Sequence, residues 1–218
     1  MTFLTNLICV AFAVFAVHVP MQAQAQQLQT FGTKAKVLVI DDTGLSTEQT
    51  KELRSFTKKR SYFGAFAASP STGRWDAETG FSSQAKVQDF VRGKCNILGG
   101  TSDCKIVAVS IPAALPVSTT NATGLSLAQS EYFEKTYLKN TRRYPRDYAA
   151  FVVNGFFAVA RWGRRHEARA VSDALADCRR YGARFKGQDT AEVYKLRVKL
   201  GLLECSVIDV RRHKDHRN

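Results

Sequence analysis

Two segments of the sequence, residues 62–110 and 148–210, carry the same order of patterns, and this order most constrains the fold. In each segment two short apolar runs separated by a turn precede a stretch whose apolar side chains recur at helical spacing. A cysteine ends that stretch, a loop follows, and a second cysteine precedes a last apolar run. The chain is therefore predicted to be α+β, with two related strand-strand-helix-strand units that share or flank a mostly antiparallel sheet.

The two units align when Cys178 is placed opposite Cys95. Gly163 then lies opposite Gly80, and the hairpin turn of the second unit is shorter by two residues and contains the dipeptide Asn154-Gly155, a strong hairpin signal. One such unit buries too little surface alone, so two repeated units are expected to complete a shared core. The alternative is a chance similarity between two ordinary segments that each end in a cysteine pair.

Four cysteines remain outside the first 25 residues, and an even number favours disulfides in an exported chain. Four cysteines allow three pairings, and the repeat selects Cys95–Cys104 and Cys178–Cys205. Zinc binding is the competing interpretation, but the sequence has no Cys-x-x-Cys pair and no histidine at ligand spacing beside these cysteines. No metal or other cofactor is predicted.

Residues 1–25 contain no Lys, Arg, Asp or Glu, and their apolar run is broken at Pro20. Ala23-Gln24-Ala25 places small residues at the two positions that a signal peptidase reads. We predict a cleavable signal peptide over 1–25 and a periplasmic or secreted protein. An uncleaved membrane anchor would need about 20 apolar residues, and neither this run nor any later segment reaches that length.

The rest of the chain is expected to fall into five parts. Residues 26–61 hold an N-terminal strand and helix, 62–115 the first unit, 116–147 a linker with a helix, 148–210 the second unit and 211–218 a basic tail. The continuous apolar run over 36–41 predicts a buried strand. Ser46-Thr-Glu-Gln49 fits a capping box that opens a helix, and Ser126 can cap the helix of the linker.

The formal net charge is +13, which favours attraction to anionic partners. The alternative is that the charge only increases solubility. The basic clusters are not interleaved with aromatic residues, so they give no specific nucleic-acid signal. The candidate binding residues are Arg161, Arg164, Arg165 and Arg169, with Lys58, Lys59 and Arg60.

The sequence contains no phosphate loop, dinucleotide fingerprint, Gly-x-Ser-x-Gly or His-Glu-x-x-His motif, and no catalytic residue is assigned. We predict a non-catalytic binding module that acts on an anionic envelope component or a protein partner. One alternative is a hydrolase that uses His166 or the pair Asp41-Asp42, although these positions are more typical of helix capping and turns. Another is an inhibitor of a secreted enzyme or toxin.

The first unit also carries several short motifs: Tyr62-Phe-Gly-Ala-Phe, the turn Ser69-Pro-Ser-Thr-Gly73, Ser82-Ser-Gln-Ala85, the cysteines at 95 and 104, and Pro112-Ala-Ala. With these, residues 62–115 resemble the bacterial domain-of-unknown-function family 4189, and residues 148–210 resemble a degenerate second copy. The sequence differs from the family in Lys86, Gln88 and Asp89, which replace an Ala-rich helix, and it lacks a cysteine within 110–115. The resemblance supports the predicted fold of the unit and its export, and it implies no activity.

Overall fold

A computed structural model describes residues 30–117 and 122–212. The predicted signal peptide and residues 213–218 of the basic tail lie outside the described residues. The elements are, in chain order, β1 (Ala35–Val39), α1 (Thr47–Thr57), β2 (Gly64–Ala68), β3 (Trp75–Glu78), α2 (Gln84–Gly99), β4 (Lys105–Pro112), α3 (Leu127–Tyr132), a π-helical turn (Phe133–Tyr137), α4 (Leu138–Thr141), β5 (Tyr148–Val153), β6 (Ala158–Arg164), α5 (Glu167–Ala183), a 3-10 turn (Arg184–Gly187), α6 (Ala191–Lys199) and β7 (Ser206–Arg212).

The strands form two antiparallel sheets. One has the order β1-β4-β2-β3 and the other has the order β6-β5-β7. Each sheet is packed by the helix of its own unit, α2 on the first and α5 on the second. The α+β fold with two strand-strand-helix-strand units is confirmed.

Both predicted disulfides are confirmed. Cys95 lies in α2 and is bonded to Cys104, directly before β4, while Cys178 lies in α5 and is bonded to Cys205, directly before β7. Cys95 and Cys178 are fully buried. Each bond therefore ties the helix of a unit to the last strand of that unit.

Helix α1, which precedes the first unit, is hydrogen-bonded to the β2–β3 hairpin. Ser46 and Gln49 form the predicted capping box of α1. The amide nitrogen of the buried Gln49 also donates to the backbone oxygens of Ser69 and Arg74, at 3.0 Å each, which flank the β2–β3 turn. The Gln49 side chain thus forms hydrogen bonds both with the start of α1 and with the two residues that flank the β2–β3 turn.

The second unit has the same arrangement. Ser126 and Gln129 form a capping box at the start of α3. Gln129 then donates to the backbone oxygens of Asn154 and Phe157, at 2.9 and 3.1 Å, on either side of the β5–β6 turn. The similarity between the units therefore begins at the helix that precedes each hairpin, upstream of the boundaries drawn from the sequence.

Helix α2 is longer than the sequence pattern indicates. The sequence pattern predicts that it ends at Cys95, but it continues to Gly99, and Gly100 caps it in the left-handed conformation with a φ of 60°. A Cβ on Gly93 would lie 2.7 Å from the side chain of Leu196 in α6. Gly93 therefore allows close packing of α6 on α2.

The hairpin predicted at Asn154-Gly155 forms, but its loop spans 154–157 and is wider than this dipeptide signal implies. It remains two residues shorter than the loop 69–74 of the first unit, as predicted. The Asn154 side-chain oxygen accepts from the backbone N–H groups of Phe156 and Phe157. A Cβ on Gly155 would lie 2.8 Å from the backbone oxygen of Leu202, so this glycine permits close contact with another segment.

The strand predicted over 36–41 forms as β1, but the prediction that it is buried is wrong. Strand β1 lies at the edge of its sheet, and Val39 and Ile40 are 49% and 59% exposed. Strand β4 occupies the interior of the sheet instead, and six of its eight residues are buried. A continuous apolar run does not distinguish these two positions because strand order depends on distant parts of the chain.

The segment between Cys178 and Cys205 joins the two units. Its helix α6 packs on α2, and Val193 and Leu202 are buried in the core of the first unit. The two units therefore share part of their core. Within the described ranges, no helix is both long and apolar enough to cross a membrane.

The Ser-Pro-Ser-Thr-Gly turn is held by the carboxylate of Asp103. The Ser69 hydroxyl donates to Asp103 at 2.6 Å, the Ser71 N–H donates at 3.1 Å, and the Thr101 hydroxyl donates at 2.6 Å. These hydrogen bonds, with that of Ser69 the largest cause, hold the pKa of Asp103 well below its usual range.

Because folding lowers this pKa, the carboxylate stabilises the fold above the unfolded-state pKa of about 3.9, and the contribution is lost as the pH falls towards the folded-state pKa. We expect Asp103→Asn to melt at a lower temperature than the parent at pH 7, with a difference that shrinks below about pH 4. Asp42→Asn is the matched control, since Asp42 is exposed and the described residues show no hydrogen bond to its side chain. A difference in melting temperature that stays constant across this pH range would contradict the assigned role of Asp103.

Candidate binding groove beside strand β6

A groove of about 520 Å³ runs along the outer edge of the second sheet. We call it the β6 groove. It is lined by the consecutive residues 157–162, together with Tyr132, Asp177, Tyr181, Arg184, Phe185 and Gln188.

The continuous lining shows where the groove lies on the sheet. Successive side chains of a strand point to opposite faces, so a cavity on one face would be lined by alternate residues. A groove lined by six consecutive residues follows the edge of the strand itself. Strand β6 pairs with β5 on one side, and on the other side it has no partner strand among residues 30–117 and 122–212. Edge backbone of this kind is able to pair with an added strand.

Aromatic rings form the walls of the groove. Phe157 and Tyr181 meet edge to face with centroids 6.0 Å apart, and Trp162 donates its indole N–H to the backbone oxygen of Tyr137 at 3.1 Å. The guanidinium carbon of Arg184 lies 4.6 Å from the ring centroid of Tyr181, which is itself 38% exposed. The walls are therefore apolar, and an arginine lies at the rim.

Charged residues follow one face of α5 beside the groove. Positions 169, 173, 177, 180 and 184 are separated by three or four residues, the spacing that aligns side chains along a helix. Two aspartates of this face pair with arginines of β6, Asp177 with Arg161 and Asp173 with Arg164, and Arg165 directly follows β6 in the chain. We call the following set the arginine strip: Arg161, Arg164, Arg165, Arg169, Arg180 and Arg184, with Asp173 and Asp177.

Each aspartate of the strip holds two arginines. Asp177 forms ion pairs with Arg161 of β6 and with Arg180, the latter at 2.5 Å. Asp177 and Arg161 themselves line the groove, so Arg180 is held beside a lining residue. Asp177 is buried, and a buried carboxylate is costly unless it is paired. The two arginines supply this pairing.

Asp173 repeats this arrangement one turn earlier. It lies 2.7 Å from Nε of Arg164 and 3.1 Å from Nε of Arg169. The hydrogen bond from Arg164 is the main reason that the pKa of Asp173 lies below its usual value. Six arginines against two aspartates leave a surplus of four positive charges on the strip.

The predicted binding residues thus separate into two groups. The structure links Arg161, Arg164 and Arg169 to α5 through Asp177 and Asp173, whereas Arg165 is exposed directly after β6. It adds Arg180 and Arg184, which the sequence analysis missed. The three to four residue spacing of charges along α5 was the signal that could have indicated them. The second predicted group, Lys58, Lys59 and Arg60, is exposed after α1, before the first unit begins, and does not line the groove.

The candidate hydrolase residues belong to different parts of the fold, since Asp41 and Asp42 follow β1 of the first sheet and His166 directly precedes α5 of the second unit. Asp41 accepts hydrogen bonds from Thr43 and from the Lys105 ammonium at 2.6 Å, and the latter is the main reason that its pKa is well below the usual range. His166 is exposed at the start of α5, and its side chain makes no capping hydrogen bond there. Among the described residues, no group of three or more His, Cys, Asp and Glu side chains is arranged to hold a metal ion.

No family model, curated protein or solved structure matches the chain.

Proposed function

We propose that the protein is an exported, non-catalytic binding module that receives an extended acidic segment of a protein partner as an added strand on β6. The observation that carries this proposal is the lining of the β6 groove by consecutive residues, Phe157 of the hairpin loop and then 158–162 of the edge strand. Addition of a strand to an exposed edge is a common way to bind an extended peptide, because main-chain hydrogen bonds supply affinity.

The arginine strip supports an acidic ligand. Side chains on one face of an extended strand recur about every 7 Å, so acidic residues at alternate positions would face the strip. The aromatic walls would take the apolar side chains that point the other way. Arg184 lines the groove and Arg165 directly follows β6 in the chain; both are exposed and have no carboxylate partner in the described ranges. Both are therefore available to pair with acidic residues of a ligand.

Export is supported by two observations. The first 25 residues have the pattern of a cleavable signal peptide, and the two disulfides fit an oxidising compartment. The resemblance of residues 62–115 to family 4189 also favours export and assigns no activity. The proposed location is the periplasm or the medium.

Fluorescence anisotropy with a labelled peptide of alternating Glu and Val residues tests the proposal. We expect saturable binding that weakens as salt increases. The same peptide with N-methylated backbone amides keeps its charge but cannot form the strand ladder, and we expect it to bind at least about tenfold more weakly.

A matched pair of double variants locates the site. Arg165→Gln with Arg184→Gln is expected to weaken peptide binding by about tenfold or more, whereas Lys58→Gln with Lys59→Gln removes the same charge elsewhere and should change it by less than about twofold. Equal losses would show that binding follows overall charge. Unchanged affinity for the N-methylated peptide, or preference for an acidic glycan, would contradict strand addition.

A further inference from the structure

Strand β7 has a partner strand on one side only within the described ranges. It has the same place in the second unit that β4 has in the first, because each strand directly follows the second cysteine of its unit. In the first sheet β1 pairs with the outer side of β4, from Ala35 opposite Pro112 to Val39 opposite Ala108. The outer side of β7 is therefore the position at which the first sheet holds a fourth strand.

Strands β4 and β7 also share a bulge. The register of β4 with β2 shifts at Val107, and that of β7 with β5 shifts at Ile208, each three residues after the second cysteine of its unit. In the first sheet the backbone oxygen of Val107 accepts from the N–H groups of Ile40 and Asp41, at 2.8 and 3.3 Å. The bulge thus does not prevent pairing, and the oxygen of Ile208 is the corresponding acceptor on β7.

The β5–β6 hairpin fixes the direction of the backbone groups of β7. The N–H of Asn154 donates to the oxygen of Phe157 at 3.0 Å and so points towards β6. Alternate residues of a strand direct their backbone groups to the same side, so Ala150 also faces β6. Its partner in β7, Val210, then directs its own N–H and C=O away from β5. Val210 and, two residues on, Arg212 therefore present donors and acceptors at the open edge.

Asp209 and Arg211 lie on either side of Val210. They form an ion pair at 2.5 Å, and Asp209 also accepts from the Tyr137 hydroxyl at 2.7 Å, which holds both charges on one face of the sheet. Antiparallel pairing of two β7 strands with Val210 opposite Val210 places each Asp209 opposite Arg211 of the other strand. Opposite charges that face each other across antiparallel strands stabilise their pairing.

We propose that two copies of the chain form a symmetric dimer in which their β7 strands pair antiparallel across a two-fold axis at Val210. The Val210 N–H of each copy donates to the Val210 oxygen of the other, and the Arg212 N–H donates to the oxygen of Ile208. The same surface on both copies is self-complementary, as a two-fold interface requires.

The dimer joins the two second sheets into one sheet of six strands. The β6 groove lies at the opposite edge of the second sheet from β7. Both grooves therefore stay open in the dimer, and the dimer does not depend on the function proposed for them.

Sedimentation velocity of the oxidised protein, at about 0.15 M salt to screen its net charge, tests the proposal. We expect a dimer that dissociates on dilution, with a dissociation constant of about 10 µM or lower. A protein that remains monomeric at about 100 µM would overturn the proposal.

The Val210→Pro variant tests the pairing. It removes an N–H for which the described residues offer no acceptor, so the circular dichroism spectrum should be unchanged while self-association weakens at least about tenfold. The variant should keep its affinity for the alternating Glu-Val peptide, because β6 is unaltered. Undiminished self-association of Val210→Pro would contradict pairing through β7.

Charge reversal tests the register without a proline. Asp209→Arg and Arg211→Asp should each weaken self-association at least about tenfold, because like charges then face each other. An equimolar mixture of the two variants should dimerise again, since the arginines of one chain then face the aspartates of the other. Glu192→Arg, the same change of charge at an exposed residue of α6, should have less than about a twofold effect. Failure of the mixture to dimerise would overturn the register.

Discussion

The Arg197→Ala variant is expected to have a free energy of unfolding about 3–5 kcal/mol lower than that of the parent protein. Arg197 of α6 is 6% exposed and forms an ion pair with Asp189, with a second contact from Nη2 to Oδ1 of 3.2 Å. The two side chains are only 8% and 10% exposed. Removing the guanidinium would leave a buried carboxylate without its partner, which is the costly way to break a buried ion pair.

The surroundings of Arg197 increase the expected effect. Its guanidinium carbon lies 4.4, 4.7 and 4.6 Å from the ring centroids of Phe90, Phe156 and Phe185. Phe90 belongs to α2 of the first unit, whereas the other two rings belong to the second. Arg197 therefore holds together rings from both units.

Chemical denaturation at equilibrium measures the effect of Arg197→Ala. Lys195→Ala, an exposed substitution on the same helix, is the control and should stay within about 0.5 kcal/mol of the parent. The double variant Arg197→Met with Asp189→Asn should be more stable than Arg197→Met alone, because the second substitution removes the buried charge that the first leaves without a partner. A loss below about 1 kcal/mol for Arg197→Ala would contradict a central role for this residue.

Removal of the second disulfide, by Cys178→Ala with Cys205→Ala, is expected to cost about 3–4 kcal/mol of unfolding free energy. The bond closes a loop with a sequence separation of 27, and this loop contains α6. Without the bond the unfolded chain gains freedom, and α6 loses its covalent tie to the second sheet. Loss of Cys95–Cys104, with a separation of only 9, should cost less, about 2–3 kcal/mol.

Both double alanine variants should be compared by denaturation under the same oxidising conditions. The decisive result is their order, because the chain-entropy argument depends on loop length. If removal of Cys95–Cys104 were the more damaging change, the assigned importance of the loop that carries α6 would be wrong.

The local features of this fold could be predicted from the sequence. The pairing of Cys178 with Cys205 follows from the repeated order of helix, cysteine, loop, cysteine and strand. The capping box at Ser46 and Gln49 is a short-range pattern, and its backbone partners lie within a few residues. Such features depend on neighbours along the chain, which the sequence displays directly.

Features that depend on distant contacts could not be predicted. The apolar run over 36–41 does not reveal that β1 is an edge strand, because that position depends on β4. Gly93 and Gly155 resemble a helix stop and a hairpin turn, but their roles come from Leu196 and Leu202, far along the chain. The β6 groove depends on the same kind of information, since the sequence does not show which strand is left at the edge of a sheet.

Binding of an acidic segment as a strand on β6 is tested most directly by a nuclear magnetic resonance titration of the ¹⁵N-labelled protein with the alternating Glu-Val peptide. We expect the largest shifts of backbone amide signals within 158–164 and along the arginine-bearing face of α5. We also expect slower hydrogen exchange for β6 amides in the complex. Shifts centred on Lys58, Lys59 and Arg60, or shifts without added protection of β6 amides, would contradict strand addition.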